Sequence, residues 1–348
     1  MKSHPLHLLA QSSALQTTLA LCLLVCLSAS AATEEQINKH FTLQPGGKIV
    51  VDVDMGSINV STNAGNEVVV DVWRKIGRGK KADEEAYLRD HPVQVSQEGN
   101  TVTVRCRSKS KISWSLSLSG RNQNQAKYTI TVPAQFNAQL HTAGGPISVS
   151  DLSGEVKADT SGGGLQFARL HGPVDGHTSG GGIDMTGCEG KLKIDTSGGG
   201  IKVAGGSGPL DGHTSGGSVS VKQFRGPAHL DTSGGGITLD DVAGEIEAHT
   251  SGGGIKAALP SPLTGPVRLD TSAGGITLQL PADAAFNLDA DTSAGSVSSE
   301  LPVTAVGKHE HSRLTGAANG GGQPIVLHSS AGSIRILKSE RRLAEESK

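Results

Sequence analysis

The side chains of this chain best suited to chemistry recur as a column. Asp159, His177, Asp195, His213, Asp231, His249 and Asp270 alternate a carboxylate with an imidazole, at steps of 18 residues and finally 21. Such residues can ligate a divalent metal, exchange protons near neutral pH, or hydrogen-bond a polar ligand. Two residues earlier runs a second series, Lys157, Asp175, Lys193, Asp211, His229, Glu247, Arg268 and Asp289, alternating in the opposite phase. If successive units stack in register, each charge meets opposite or neutral neighbours. Opposite charges across a sheet contribute about 0.2–1 kcal/mol per pair, and a slip by one unit brings like charges together. The column therefore fixes register, and it is also an exposed candidate binding ladder. A closed metal site needs four converging ligands, whereas side chains on a flat ladder diverge, so no metal is expected.

Other motifs are weaker. Gly205-Gly206-Ser207-Gly208 with Asp211 matches a calcium-roll nonapeptide only loosely and occurs once. The glycine runs are not phosphate loops, because no Gly-Lys-Ser/Thr follows. No Gly-x-Ser-x-Gly elbow is present. Asp240 and Asp241 are adjacent, so on a strand they point to opposite faces and cannot act together on a glycosidic bond. Lys308-His309-Glu310-His311 falls in a Gly-rich polar insertion that reads as a solvated loop. No catalytic residue and no cofactor are expected.

The elements that carry the column are short strands. The phrase (Asp/His)-Thr-Ser-Gly-Gly-Gly-Ile recurs with small variations from His141, Asp159, His177, Asp195, His213, Asp231, His249, Asp270, Asp291 and His328. On either side of the glycine turn apolar residues alternate, as in Leu192 and Ile194 before it and Ile201 and Val203 after it. Period two with one apolar face is the pattern of a half-buried strand, and glycine runs exclude helix. A lone hairpin of this kind is marginal, but stacked units share one continuous core. The expected fold is all-β: a single-chain β-solenoid (β-helix) of stacked coils with an N-terminal β cap. The Thr of each phrase falls in phase with the inward residues, so its hydroxyl is expected to satisfy turn backbone groups. The expected boundaries are a signal segment at 1–31, N-terminal strands and cap at 32–138, solenoid repeats at 139–337 and a charged tail at 338–348.

Composition agrees with a thin, repetitive core. The chain has 48 Gly but only five Phe, two Tyr and two Trp, and most of these rings precede the repeats. A formal charge of −2 offers no basic footprint for nucleic acid. Lys2, the apolar stretch Leu15 to Leu27 and the small residues Ala29-Ser30-Ala31 read as a secretory signal. No later apolar run is long enough to span a bilayer. Cys106 and Cys188 remain after the signal; an oxidising compartment permits their pairing, and two buried thiols are the equal alternative.

The recurring phrase, Val132-Pro133 ahead of the repeats, and the closing Ser329-Ser330-Ala331-Gly332-Ser333-Ile334 resemble the bacterial adhesin-like domain family. Its members are exported β-strand-repeat proteins related to the toastrack domains. The resemblance covers roughly Ile37 to Leu337. It implies the solenoid, an exported location in periplasm, cell surface or medium, and binding of an envelope polysaccharide or envelope protein. It carries no catalytic motif. Some relatives look like envelope-stress sensors coupled to a membrane partner, so a sensor or scaffold is the alternative expectation. A β-helical carbohydrate-active enzyme ranks last, because these charges are spread along the rod and not gathered in a cleft.

Overall fold

The computed structural model describes residues 32–108, 124–305 and 310–339. The expected signal segment, Trp114, Lys308, His309 and tail residues 340–348 lie outside the described residues. Each 18-residue unit is one complete coil of two strands. Val156–Thr160 lies in one sheet, the chain turns through the glycines, and Leu165–Ala168 lies in the other. The next coil repeats this with Val174–Thr178 and Ile183–Glu189. Successive coils pair in parallel and in register, Val156 with Val174 and Leu165 with Ile183. The result is nearly all β, a two-sheet solenoid with 15 strands in one sheet and 14 in the other. We call the 15-stranded sheet, which carries the Asp/His column, the ladder sheet, and the other the facing sheet.

One core runs the length of the stack. The inward positions Leu192, Ile194, Ile201 and Val203 are all at most 2% exposed, and each such aliphatic side chain contributes about 1.5–3 kcal/mol on burial. Rings are accommodated by glycine on the opposite sheet: a Cβ on Gly176 would lie 2.9 Å from the Phe167 ring. The Thr ladder is present and does two things in each turn. Thr196 Oγ1 donates to the Gly181 carbonyl of the previous coil at 2.7 Å and accepts the Gly199 N–H of its own turn at 3.3 Å. The same pair of bonds recurs at Thr160, Thr178, Thr214, Thr232, Thr250 and Thr271. These buried hydroxyls thus satisfy backbone groups that no strand partner reaches.

Both glycine corners have steric causes. In the Thr-Ser-Gly-Gly-Gly turn, a Cβ on the middle glycine would strike the neighbouring turn: at Gly199 it would lie 2.1 Å from the Gly181 carbonyl oxygen. At the other corner Gly190 has φ +127°, a backbone that L side chains rarely adopt, and its Cβ would lie 2.5 Å from Gly172 O.

The two ends depart from sequential stacking. At the N-terminal end the coil of Gly47–Val53 and Ser57–Asn63 is enclosed on both sides. Thr101–Cys106 and Gln125–Pro133 pair on its outer side, and Phe136–Thr142 and Ile147–Ser150 on its inner side. The glycine phrase copy Asp54-Met55-Gly56-Ser57-Ile58 is the turn of this enclosed coil. The N-terminal strands expected from the sequence also include a hairpin of Gln94–Glu98 and Thr101–Cys106. The helix Lys81–Asp90 was not expected. It is tied down by buried Glu84, which accepts from Thr33 Oγ1 at 2.6 Å and from the Arg78 N–H at 2.9 Å. Beside it, buried Arg74 reaches Glu35, the His91 carbonyl at 2.6 Å and Cys106 Sγ at 3.5 Å. Cys106 and Cys188 are both free and buried.

At the C-terminal end, the coil of Gln323–Ser329 and Ile334–Lys338 inserts between two earlier ones. It pairs with Val267–Thr271 and Ile276–Leu280 on one side, and with Phe286–Thr292 and Val297–Ser299 on the other. Within the stretch read as a loop, Arg313–Ala318 is a strand paired antiparallel to Phe286–Thr292, because its alternating Leu314, Gly316 and Ala318 continue the inward face.

Candidate functional site

The structure brings all seven ladder residues into one line on the outer face of the ladder sheet. Asp159 neighbours His177, then follow Asp195, His213, Asp231, His249 and Asp270, each opposite the next across a parallel strand pair. The spatial ladder is longer than its sequence reading. Beyond Asp159 it continues to His141, Asp52 and Arg105. Beyond Asp270 it continues to His328, Asp291 and Arg313. Alternation is unbroken over all thirteen positions, with an arginine at each end. In sequence Asp270 is followed by Asp291, two acids in succession; the inserted coil places His328 between them.

The ladder side chains are partly exposed and paired along the rod. His141 Nδ1 lies 2.9 Å from Asp159, His177 Nδ1 3.1 Å from Asp195, and His328 Nδ1 2.9 Å from Asp291. In these three pairs Nδ1 faces the neighbouring carboxylate, which leaves Nε2 as the other hydrogen-bonding atom of the ring. The second column is tied to the first: His229 bridges Asp231 at 2.9 Å and Glu247 at 3.2 Å, and Arg268 Nε lies 2.8 Å from Asp270. The second column does not run as its sequence order suggests. Val326 of the inserted coil separates Arg268 from Asp289, and Asp289 pairs instead with Arg313 at 3.1 Å.

Near its N-terminal end the ladder borders a shallow hollow of about 490 Å3, lined by Asp52, Arg105, Arg107, His141, Asp159 and His177 among others. Arg107 pairs with Asp52 and with Asp54, the latter at 3.1 Å, and the hydrogen bond and charge of Asp52 raise its pKa above the ordinary guanidinium value. Among the described residues no three His, Cys, Asp or Glu side chains gather as a metal site. Asp240 lies in a hollow of the facing sheet, while Asp241 holds Arg225 at 2.8 Å. The Cys188 thiol is pushed up by burial, which disfavours its nucleophilic form. Sequence reading missed Asp52, Arg105 and Arg313 as ladder members. The signal available was the position of Asp52, three residues before the Met55-Gly56-Ser57-Ile58 turn.

A two-sheet parallel solenoid with stacked glycine turns and an outward charge ladder defines a class of repeat protein with two flat outer faces. The family model described as Toastrack DUF4097 matches residues 47–337, and the chain belongs to that family. Among solved structures, a candidate adhesin from Parabacteroides merdae is 12% identical, with 88% of this chain and 97% of that one covered at a TM-score of 0.39. A candidate lipid-binding protein from Parabacteroides distasonis is also 12% identical, with 89% and 98% covered and a TM-score of 0.32. A candidate adhesin from Bacteroides fragilis gives 12%, 88% and 99%, with a TM-score of 0.28. The comparison with curated proteins gives no match. No helix among the described residues is long and apolar enough to cross a membrane.

Proposed function

We propose that this chain is an exported, non-catalytic binding module that presents its ladder face to a repetitive polysaccharide or protein of the cell envelope. The observation that carries the reading is the unbroken alternation of thirteen charged or imidazole side chains along the ladder sheet, one per strand. A surface that repeats at about 4.8 Å suits a ligand that also repeats. Three of the imidazoles hydrogen-bond a neighbouring carboxylate of the ladder, and the face offers regularly spaced hydrogen-bonding groups along its length. Turnover needs groups held against one reacting centre, and the ladder spreads them along a line. The secretory pattern of residues 1–31 and the family resemblance support the exported location.

The test is a binding assay of the purified chain against envelope polysaccharides, peptidoglycan and purified envelope proteins. Saturable retention of one polymer, weakened by the double substitution Asp195→Asn and Asp231→Asn, is the expected result. Retention of none of them, or release of shortened glycan products, would overturn the reading.

A further inference from the structure

The two outer faces of the solenoid are charged in different ways. On the ladder sheet, imidazole or arginine side chains alternate with acids. On the facing sheet the corresponding outward column runs Asp184, Lys202, Ser220, Thr238, Lys256, Thr277, Arg335 and Ser298. From Lys202 onward this column holds three cations, four hydroxyls and no acid. Lys202 lies 3.9 Å from Asp184. Lys256 and Arg335 are exposed, and among the described residues neither has an ion-pair or hydrogen-bond partner for its side chain.

Two adjoining hollows give this stretch a concave form. One, of about 560 Å3, is floored by the glycines Gly236, Gly254 and Gly275 and edged by Lys256, Thr277 and Arg335. The other, of about 800 Å3, shares Thr238, Lys256 and Thr277 and extends to Lys222 and Lys338. Asp240 is the acid that remains there, since Asp241 of the same hollow is held by Arg225. Glycine in the floor leaves the backbone open to a ligand lying against it. Cations set apart by hydroxyls, with no acids between them, leave a field that attracts an extended anion.

We infer that this groove binds a linear acidic polysaccharide laid along the solenoid axis, its carboxylates on Lys256 and Arg335 and its ring hydroxyls on Thr238 and Thr277. The rungs from Thr238 to Arg335 span about 14 Å at about 4.8 Å per rung, room for a short run of sugar units in extended form. Hydroxyls on the rungs between cations match a polymer that carries both hydroxyls and carboxylates; a bare polyphosphate has nothing to offer them. The assignment builds on the proposed binding role but uses the opposite face, so the two stand or fall separately.

The experiment is calorimetric titration of the full chain with an oligogalacturonate, with a neutral galactose oligomer and with polyphosphate, each at low and high salt. Oligogalacturonate is expected to bind, more weakly at high salt. The double variant Lys256→Gln, Arg335→Gln is expected to lose about tenfold or more in affinity, which is about 1.4 kcal/mol or more, since it removes both cations of the groove that have no partner among the described residues. Both residues are exposed, so the variant should fold as the parent does. The charge-matched control Lys80→Gln, Lys81→Gln, at the exposed start of the helix Lys81–Asp90, is expected to change affinity less than about twofold, as a distant surface substitution should. The inference is overturned if oligogalacturonate does not bind, if both double variants weaken it alike, or if polyphosphate binds as tightly. Retention of a neutral envelope glycan by the ladder face without oligogalacturonate binding would sink this inference alone. Oligogalacturonate binding that ignores Asp195→Asn and Asp231→Asn, with no other polymer held, would remove the ladder reading alone.

Discussion

The middle glycine of the turn offers the sharpest test of the packing argument. Among the described residues it is glycine at eleven turns of the stack: Gly56, Gly145, Gly163, Gly181, Gly199, Gly217, Gly235, Gly253, Gly274, Gly332 and Gly295. A Cβ would meet Ala126 at 2.7 Å at Gly56 and the neighbouring turn at 2.0 to 2.5 Å at the others. The preceding position is freer. Ala already occupies it at Ala273, Ala294 and Ala331, and at Gly198 the nearest atom to a Cβ would be 3.3 Å away. In Gly199→Ala the new methyl sits 2.1 Å from the Gly181 oxygen, and that oxygen is also the acceptor of the Thr196 hydroxyl. Relief requires the two turns to part by about 1 Å where coils are spaced only about 4.8 Å. Such a shift strains the packing by about 1–3 kcal/mol and leaves a buried carbonyl unsatisfied at about 1–3 kcal/mol more. Gly199→Ala should therefore destabilise by about 3–5 kcal/mol, and Gly198→Ala by no more than about 0.5 kcal/mol. Urea unfolding followed by circular dichroism measures both midpoints. Equal midpoints for the two variants would refute the claim that turn stacking, and not glycine's flexibility, selects this residue.

Other expectations follow from the same geometry. Thr196→Val keeps the shape but removes the hydroxyl, leaving the Gly181 carbonyl and Gly199 N–H unpaired; a loss of about 1–3 kcal/mol in urea unfolding is expected, and Ser at the same site should restore most of it. His213→Asp places a third acid on the rung between Asp195 and Asp231; it should lower stability by about 0.4–2 kcal/mol at low salt, with the deficit shrinking as salt is raised. The Glu84 carboxyl is held below the usual carboxylate range, first by the Thr33 hydroxyl and then by the Arg78 N–H. A depressed folded value means that its stabilising contribution is present above the unfolded pKa and is lost as pH falls through the folded one. Protection factors of the amides in Thr33–Thr42, the exchange rates corrected for the intrinsic effect of pH, should therefore fall on acidification, and Glu84→Gln should remove most of that pH dependence.

The sequence disclosed the coil but not its order at the ends. The period, the glycine turn and the inward Thr all follow from residue types and spacing, because each acts on its neighbour 18 residues away. Which strand lies next to which is a different matter when the chain doubles back. Nothing local in Gln323–Ser329 says that it belongs beside Val267–Thr271. Yet a clue was there: Asp270 and Asp291 are successive acids in a series that otherwise alternates, and like charges on adjacent rungs repel. Applying that rule strictly would have required a cation or imidazole between them, which His328 supplies. Asp52 and Arg105 were hidden by the irregular spacing of the first coils. The helix Lys81–Asp90 escaped notice because it carries no long apolar stripe and is held by contacts to distant segments, Glu84 to Thr33 and Tyr87 to Met55. The basic groove of the facing sheet was invisible for a related reason. Lys256 and Arg335 lie far apart in sequence, and only the rung order gathers them.

The inserted C-terminal coil also bears on how the molecule is completed. The ribosome delivers Phe286–Thr292 before Gln323–Ser329, yet the earlier segment has its inner parallel partner only once the later one is in place. The stack can grow coil by coil up to Ile276–Leu280, but there it stops with an open edge. The next residues made must wait, folded back on Arg313–Ala318 at most, until the final strands arrive and close the gap from within. A chain cut short by premature termination before residue 323 thus keeps an unsatisfied parallel edge, the kind of surface that recruits other strands or proteases. Assembly from one end cannot finish until translation reaches the other, so the architecture distinguishes a whole chain from a fragment without any separate surveillance motif.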